Sequence, residues 1–176
     1  FNIETKCIYN PFDKDLVQRN LKKNKKIVFF KKNFLNLISV GRLTDQKDHL
    51  TLLKSINLLD KDFKIRLLII GKGKNKNLLQ NFIYENKLQN KVKLLGYLNN
   101  PYPYIKASDI VVLTSIFEGL PNILLEAQYL KKYIISSSCS SGPKEILMNG
   151  KAGYLFKNNN YLDLKSKIEK FFLNKN

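Results

Sequence analysis

From residue 36 onward, short apolar runs alternate with longer stretches whose apolar residues recur at helical spacing. That alternation limits the chain to few architectures. Leu37-Ile38-Ser39-Val40 ends at Gly41 and is expected to be a buried strand. Asp45 and Asp48 resemble a capping box ahead of Leu50, Leu53 and Ile56. Ile65 to Ile70 is the next expected strand and stops at Gly71-Lys72-Gly73. Leu78, Leu79, Phe82 and Ile83 mark an amphipathic helix. Val92-Lys93-Leu94-Leu95 leads to Gly96, and Ile110-Val111-Val112-Leu113 leads to Thr114-Ser115. A helix is expected over about 121–130, a strand over Tyr133 to Ser136, and a final helix over about 161–172, beyond a Ser-rich turn. No internal repeat is visible.

Strands of four to six apolar residues alternating with helices of ten or more imply βαβ units. Strands apolar on both faces belong in a parallel sheet covered on each side by helices. The expected fold is therefore α/β, a doubly wound Rossmann-like parallel sheet, whose ligands bind outside the carboxyl ends of the strands. The loops to inspect are then 41–48, 71–74, 96–104, 115–122 and 136–145.

Composition narrows the class. A length of 176 residues suits one domain. A hydrophobic content of 44%, with 11 Phe and 9 Tyr, excludes intrinsic disorder. Cys7 and Cys139 fit neither a metal spacing nor a disulfide framework, in keeping with a reducing cytosol. No run approaches the roughly 18 apolar residues of a spanning helix, and the start lacks a signal-peptide pattern. The chain opens on Phe1 rather than Met, so a piece of something longer is expected.

The 31 Lys+Arg against 14 Asp+Glu give a net charge of +17, yet only Arg19, Arg42 and Arg66 are arginines. Arginine is the preferred residue for bidentate phosphate and base contacts, so a lysine surplus is a weak nucleic-acid signal. No helix-turn-helix, RNP or zinc signature accompanies it. An AT-rich genome accounts for abundant Lys and Asn, and an anionic membrane surface is the functional alternative.

The loops carry the chemistry. Gly71-Lys72-Gly73 is a strand-end GxG without the third glycine of a dinucleotide fingerprint, a position that Lys76 occupies. It makes a poor nicotinamide site but allows a tight turn against a ligand. Gly41-Arg42-Leu43 follows a strand, with Lys47 at the start of the next helix. Two fixed cations beside a helix N-terminus make a diphosphate site without metal, though the same residues also read as solvated charges. In Glu118-Gly119-Leu120-Pro121-Asn122, Pro121 suits a first helical turn and Gly119 leaves backbone N–H groups open. Glu126 interrupts Ile123-Leu124-Leu125 and Ala127. A carboxylate on a largely buried helix is costly without a partner, and a hydroxyl-rich ligand is one reason for it; a surface Glu is the other. Ser140 to Glu145 is a further glycine turn leading into a helix, and Asn100-Pro101-Tyr102-Pro103-Tyr104 reads as a proline-rigid aromatic turn. Asp13-Lys14-Asp15 and Asp60-Lys61-Asp62 match a D-x-D pattern but sit in polar connections. His49 is the only histidine, which excludes a His-based metal site and a Ser-His-Asp triad within the chain.

Four segments in this order resemble the carboxyl-terminal half of family 4 retaining glycosyltransferases with the GT-B fold, over about residues 8–172. Val40-Gly41-Arg42-Leu43 with Gln46-Lys47-Asp48 is similar to the family's phosphate loop. Val92 to Gly96, with Asn100 to Tyr104, resembles its region around the nucleotide base. Ser115 to Asn122 with Glu126 looks like its E-x7-E signature, and Ser141 to Glu145 with Gly150 and Gly153 matches the segment after it.

The resemblance implies sugar transfer, with retention, from a nucleotide-diphosphate donor and without metal or other cofactor. Arg42, Lys47 and Glu118 would be the catalytic residues: the cations neutralise the departing diphosphate and Glu118 contacts the donor sugar. Gly41, Gly73, Tyr97, Gly119, Leu120, Pro121, Asn122 and Glu126 would bind the donor, Glu126 through the ribose hydroxyls. Residues 1–26 would be a hinge or linker from an absent amino-terminal acceptor domain, and 27–176 the nucleotide-sugar-binding domain. The implied partners are a nucleotide sugar, a hexose or N-acetylhexosamine linked to UDP by preference, and a glycan or lipid-linked acceptor in bacterial surface polysaccharide synthesis. The implied location is cytoplasmic, at the inner face of the membrane, with no nucleic acid. The competing readings are a non-catalytic nucleotide-binding module and a basic membrane- or nucleic-acid-binding α/β module.

Overall fold

A computed structural model of the chain describes residues 11–21 and 27–175. Cys7, most of the expected hinge and the lysines from Lys22 to Lys26 lie outside the described residues.

Six strands form one all-parallel sheet: β1 (Leu35–Val40), β2 (Ile65–Ile70), β3 (Val92–Gly96), β4 (Ile110–Leu113), β5 (Tyr133–Ser137) and β6 (Tyr154–Phe156), in the order β3-β2-β1-β4-β5-β6. Strand order reverses between β1 and β4, so the crevice above their carboxyl ends is the expected ligand position. The helices are α1 (Lys14–Leu21), α2 (His49–Asn57), α3 (Lys76–Glu85), α4 (Tyr102–Ala107), α5 (Asn122–Tyr129), α6 (Pro143–Ile146) and α7 (Tyr161–Lys175).

Strand side chains sort by parity, as a pleated strand requires. Leu35, Leu37, Ile65, Leu67, Ile69, Ile110, Val112 and Ile135 join one core layer with Leu52, Leu53 and Ile56 of α2, Leu79 and Ile83 of α3, and Leu164 and Ile168 of α7. Ile38, Leu68, Ile70, Val111, Leu113 and Ile134 join the opposite layer with Tyr102, Tyr104 and Ile105 of α4 and Leu124 and Ala127 of α5. Each such Leu or Ile contributes roughly 1.5–3 kcal/mol by leaving water, so both layers hold the sheet. The doubly wound expectation is correct.

Three details differ. The cap of α2 is Asp48, not Asp45: Asp48 accepts a hydrogen bond from the Thr51 N–H at 3.2 Å, while Asp45–Lys47 form a separate 3₁₀ turn. The aromatic stretch expected as a turn contains α4, because Pro103 falls in a first helical turn, where a missing N–H costs nothing. Within the expected linker, α1 packs on α4, and its Val17 is only 1% exposed.

Candidate functional site

The loops after β1 and β2 close on each other through missing side chains. A Cβ on Gly71 would stand 1.8 Å from the Gly41 carbonyl oxygen, and one on Gly73 would stand 2.3 Å from that of Leu43. The contact is sealed by hydrogen bonds from Gly41 N–H to the Ile70 carbonyl (3.0 Å), Leu43 N–H to Lys72 (2.9 Å) and Asn75 N–H to Leu43 (2.9 Å). Gly73 was expected to face the donor. It packs against Leu43 backbone and does not line the cavity described below.

A second seam joins the loop after β1 to the loop after β4. The Ile116 N–H donates to the Gln46 carbonyl (2.8 Å), Gln46 Nε2 to the Phe117 carbonyl (3.0 Å), and Thr114 Oγ1 to the Lys47 carbonyl (2.8 Å). Within this seam Lys47 Nζ is ion-paired with Glu118 Oε1, which also accepts from Ser115 Oγ at 2.5 Å. The Glu118 carbonyl accepts from Ser141 Oγ (2.8 Å), and Gly142 leaves room for the Gly119 carbonyl, 1.9 Å from where its Cβ would be. Lys47 and Glu118 thus come together as expected, but as partners of each other. The stem of Lys47 crosses Gly41, with Cδ 3.5 Å from the position of a Cβ there.

Beside this seam lies a cavity of about 440 Å³. Gly41 and Arg42 line it from the loop after β1, Gly71 and Lys72 from the loop after β2, Tyr97, Leu98, Asn99 and Pro101 from the loop after β3, and Ile123 and Glu126 from α5. Four expected residues, Gly41, Arg42, Tyr97 and Glu126, therefore converge on one space. Arg42 is exposed, its Nη2 donating at 3.4 Å to Gln46 Oε1. Gly119 to Asn122 lead directly into α5, where Pro121 precedes the first helical residue. The N-terminus of α5 carries the positive end of the helix dipole. Glu126 sits one turn further along. Burial raises its carboxyl above the ordinary range, opposed by a hydrogen bond from the Tyr102 hydroxyl at 3.3 Å. Lys72 lies over the Tyr97 ring at 5.3 Å.

Tyr102, expected near the nucleotide base, hydrogen-bonds Glu126 instead, and sequence reasoning missed Lys72, Leu98 and Asn99. These three lie in loops singled out above, and only the topology shows which residues of those loops face the crevice. Among the described residues no group of three or more His, Cys, Asp or Glu could hold a metal ion, and no helix is long and apolar enough to cross a membrane.

A Rossmann-like parallel sheet with a cavity beside the carboxyl ends of its strands defines an α/β domain of the kind that makes up one half of a GT-B fold. The chain belongs to the glycosyl transferases group 1 family, whose model matches residues 20–176. It is 34% identical over 137 residues to a Campylobacter jejuni N-acetylgalactosamine-N,N'-diacetylbacillosaminyl-diphospho-undecaprenol 4-alpha-N-acetylgalactosaminyltransferase, covering 76% of this chain and 37% of the relative. It is 34% identical over 140 residues to the Staphylococcus aureus capsular polysaccharide biosynthesis glycosyltransferase CapH, covering 76% and 36%. The crystal structure of Anabaena HepE in complex with UDP superposes with a TM-score of 0.83 at 21% identity, covering 97% of this chain and 48% of HepE. The chain thus spans a little over a third of these two relatives and about half of HepE.

Proposed function

We propose that this domain holds the nucleotide-diphosphate sugar of a retaining glycosyltransferase. The observation that carries the reading is the convergence of Gly41, Arg42, Tyr97 and Glu126, from three parts of the sequence, on one cavity at the switch point. The base lies toward Tyr97, the ribose hydroxyls at Glu126, and the diphosphate between Arg42, Lys47 and the amides of Gly119 to Asn122. Leaving diphosphate gains negative charge as the glycosidic bond breaks. Fixed cations and a helix N-terminus stabilise that charge without reorganising, which is the task a metal performs elsewhere. Glu118, released from Lys47 when phosphate takes its place, turns to the hydroxyls of the donor sugar.

The donor is a UDP-linked hexose or N-acetylhexosamine, a choice favoured by the names of the Campylobacter and Anabaena proteins. The acceptor is a glycan or lipid-linked intermediate of bacterial surface polysaccharide, held by the half that this chain does not contain. The site is cytoplasmic, and the lysine surplus suits an anionic membrane surface. Calorimetry of the 176-residue chain against UDP, GDP, CDP and ADP, each with its common sugar conjugates, tests the reading. UDP binding without turnover is the expected result. Equal indifference to all nucleotides overturns it. Sedimentation with anionic and neutral vesicles tests the membrane partner.

A further inference from the structure

Tyr102 opens α4 with its side chain only 9% exposed, in the same core layer as Leu124 and Ala127 of α5. Its hydroxyl reaches Glu126 Oε1 at 3.3 Å, and among the described residues no other side chain hydrogen-bonds that carboxylate. The Tyr102 backbone is fixed in turn by Asn100, whose Oδ1 accepts its N–H at 3.2 Å while Nδ2 donates to the Asn20 carbonyl at the end of α1 (2.8 Å). A short relay therefore runs from α1 through Asn100 and Tyr102 to a carboxylate on the cavity wall.

We propose that Tyr102 is a positioning residue for nucleotide recognition, its hydroxyl holding one oxygen of Glu126 so that the carboxylate presents itself to a ribose diol in the cavity. This rests on the nucleotide-binding reading above. A free glutamate side chain must surrender rotamer freedom to bind; one already held by a phenol has surrendered part of it. The phenol also sets the protonation state. A diol donates two hydrogen bonds and so needs an ionised, acceptor-only carboxylate. Burial favours the neutral acid, whereas a hydrogen bond from Tyr102 favours the ion. The phenol itself stays a donor: burial first, then the Glu126 carboxylate and Asp13, push it up to about 12. The other titratable groups facing Glu126 across the cavity are Arg42 after β1, Lys72 after β2 and Tyr97 after β3.

The test is calorimetry of the 176-residue chain and its Tyr102→Phe variant with UDP and 2′-deoxy-UDP between pH 5 and 8. Phe keeps the buried ring, so thermal melts should coincide closely. UDP affinity should fall roughly three- to tenfold, the effect of one hydrogen bond, and 2′-deoxy-UDP affinity by much less. The acid-side loss of UDP affinity should also move to higher pH. In a Glu126→Ala background the same substitution should change nothing further, because the hydroxyl acts through the carboxylate. Equal losses for both nucleotides, an unmoved pH profile, or an undiminished effect beside Glu126→Ala each overturn the positioning role while leaving nucleotide binding intact. A wild-type chain that binds none of UDP, GDP, CDP or ADP overturns both.

Discussion

Lys47 is ion-paired with Glu118 across the seam between the loops after β1 and β4, and the two side chains are 15% and 8% exposed. Two nearly buried opposite charges are tolerable only together. Removing the lysine leaves Glu118 with Ser115 alone, so Lys47→Ala should destabilise the domain by about 3 kcal/mol, read by urea denaturation. The double variant Lys47→Ala/Glu118→Ala should recover part of that loss. Nucleotide binding separates the partners further. Glu118→Ala frees a cation for the diphosphate and should tighten UDP roughly three- to tenfold, while Lys47→Ala weakens it. Weaker UDP binding in both single variants would contradict a competition between Glu118 and phosphate.

The Gly73 contact isolates sterics from backbone preference, since its φ is not in the left-handed region and only space is at issue. A methyl group 2.3 Å from a backbone oxygen has no flexible neighbour to push aside. Gly73→Ala should cost on the order of 3 kcal/mol and, by parting the two loops, reduce nucleotide affinity as well. Thermal melting and calorimetry on the same sample check both. A neutral substitution would mean that the loops separate freely.

Most of the fold was legible because burial writes itself into the sequence. β1, β2, β4 and β5 are buried on both faces, edge strand β3 keeps Val92, Leu94 and Leu95 around an exposed Lys93, and α2, α3, α5 and α7 show helical spacing. β6 escaped notice because three residues, Tyr154-Leu155-Phe156, are too few to form a period. α1 escaped because Val17 is its one buried side chain, too little to set a helical period among Lys14, Asp15, Gln18, Arg19 and Asn20. A residue type that is costly on its element stands out in a sequence, and Glu126, singled out for that reason, lines the cavity. The Lys47–Glu118 pair was not legible, since 71 residues separate two charges that each read alone as ligand contacts. Gly73 illustrates the same limit: a glycine that admits a ligand and one that admits a neighbouring loop look alike until the loops are placed.

His49, at the start of α2, is 4% exposed, and its Nδ1 has no hydrogen-bond partner among the described residues. Burial first, and then Lys47, lowers its pKa from 6.5 to about 4. The folded state therefore binds fewer protons than the unfolded state between those values, and stability falls as pH drops from 6.5 to 4. The loss should reach about 3 kcal/mol at the lower end. His49→Leu should flatten that part of the urea-denaturation profile without lowering stability at pH 7, because it also removes an unsatisfied polar atom. An unchanged slope between pH 6.5 and 4 would place the acid sensitivity elsewhere.

Glu126 has the opposite sign, and that makes it a measure of what the site costs. Burial raises its carboxyl pKa above 4.5, so the folded state holds a proton longer than the unfolded state does. At neutral pH the domain carries an ionised carboxylate that its surroundings disfavour, and that penalty fades as pH falls through the folded pKa. Glu126→Gln keeps the shape and the hydrogen bond from Tyr102 but removes the charge. It should raise Tm at pH 7, with the gain shrinking toward pH 4.5, while weakening UDP at least tenfold through the loss of an acceptor-only partner for the ribose diol. A structural glutamate would behave differently: its neutralisation would lower Tm or leave the nucleotide unaffected. Opposite movements of Tm and affinity in one variant are what a carboxylate kept for a ligand predicts.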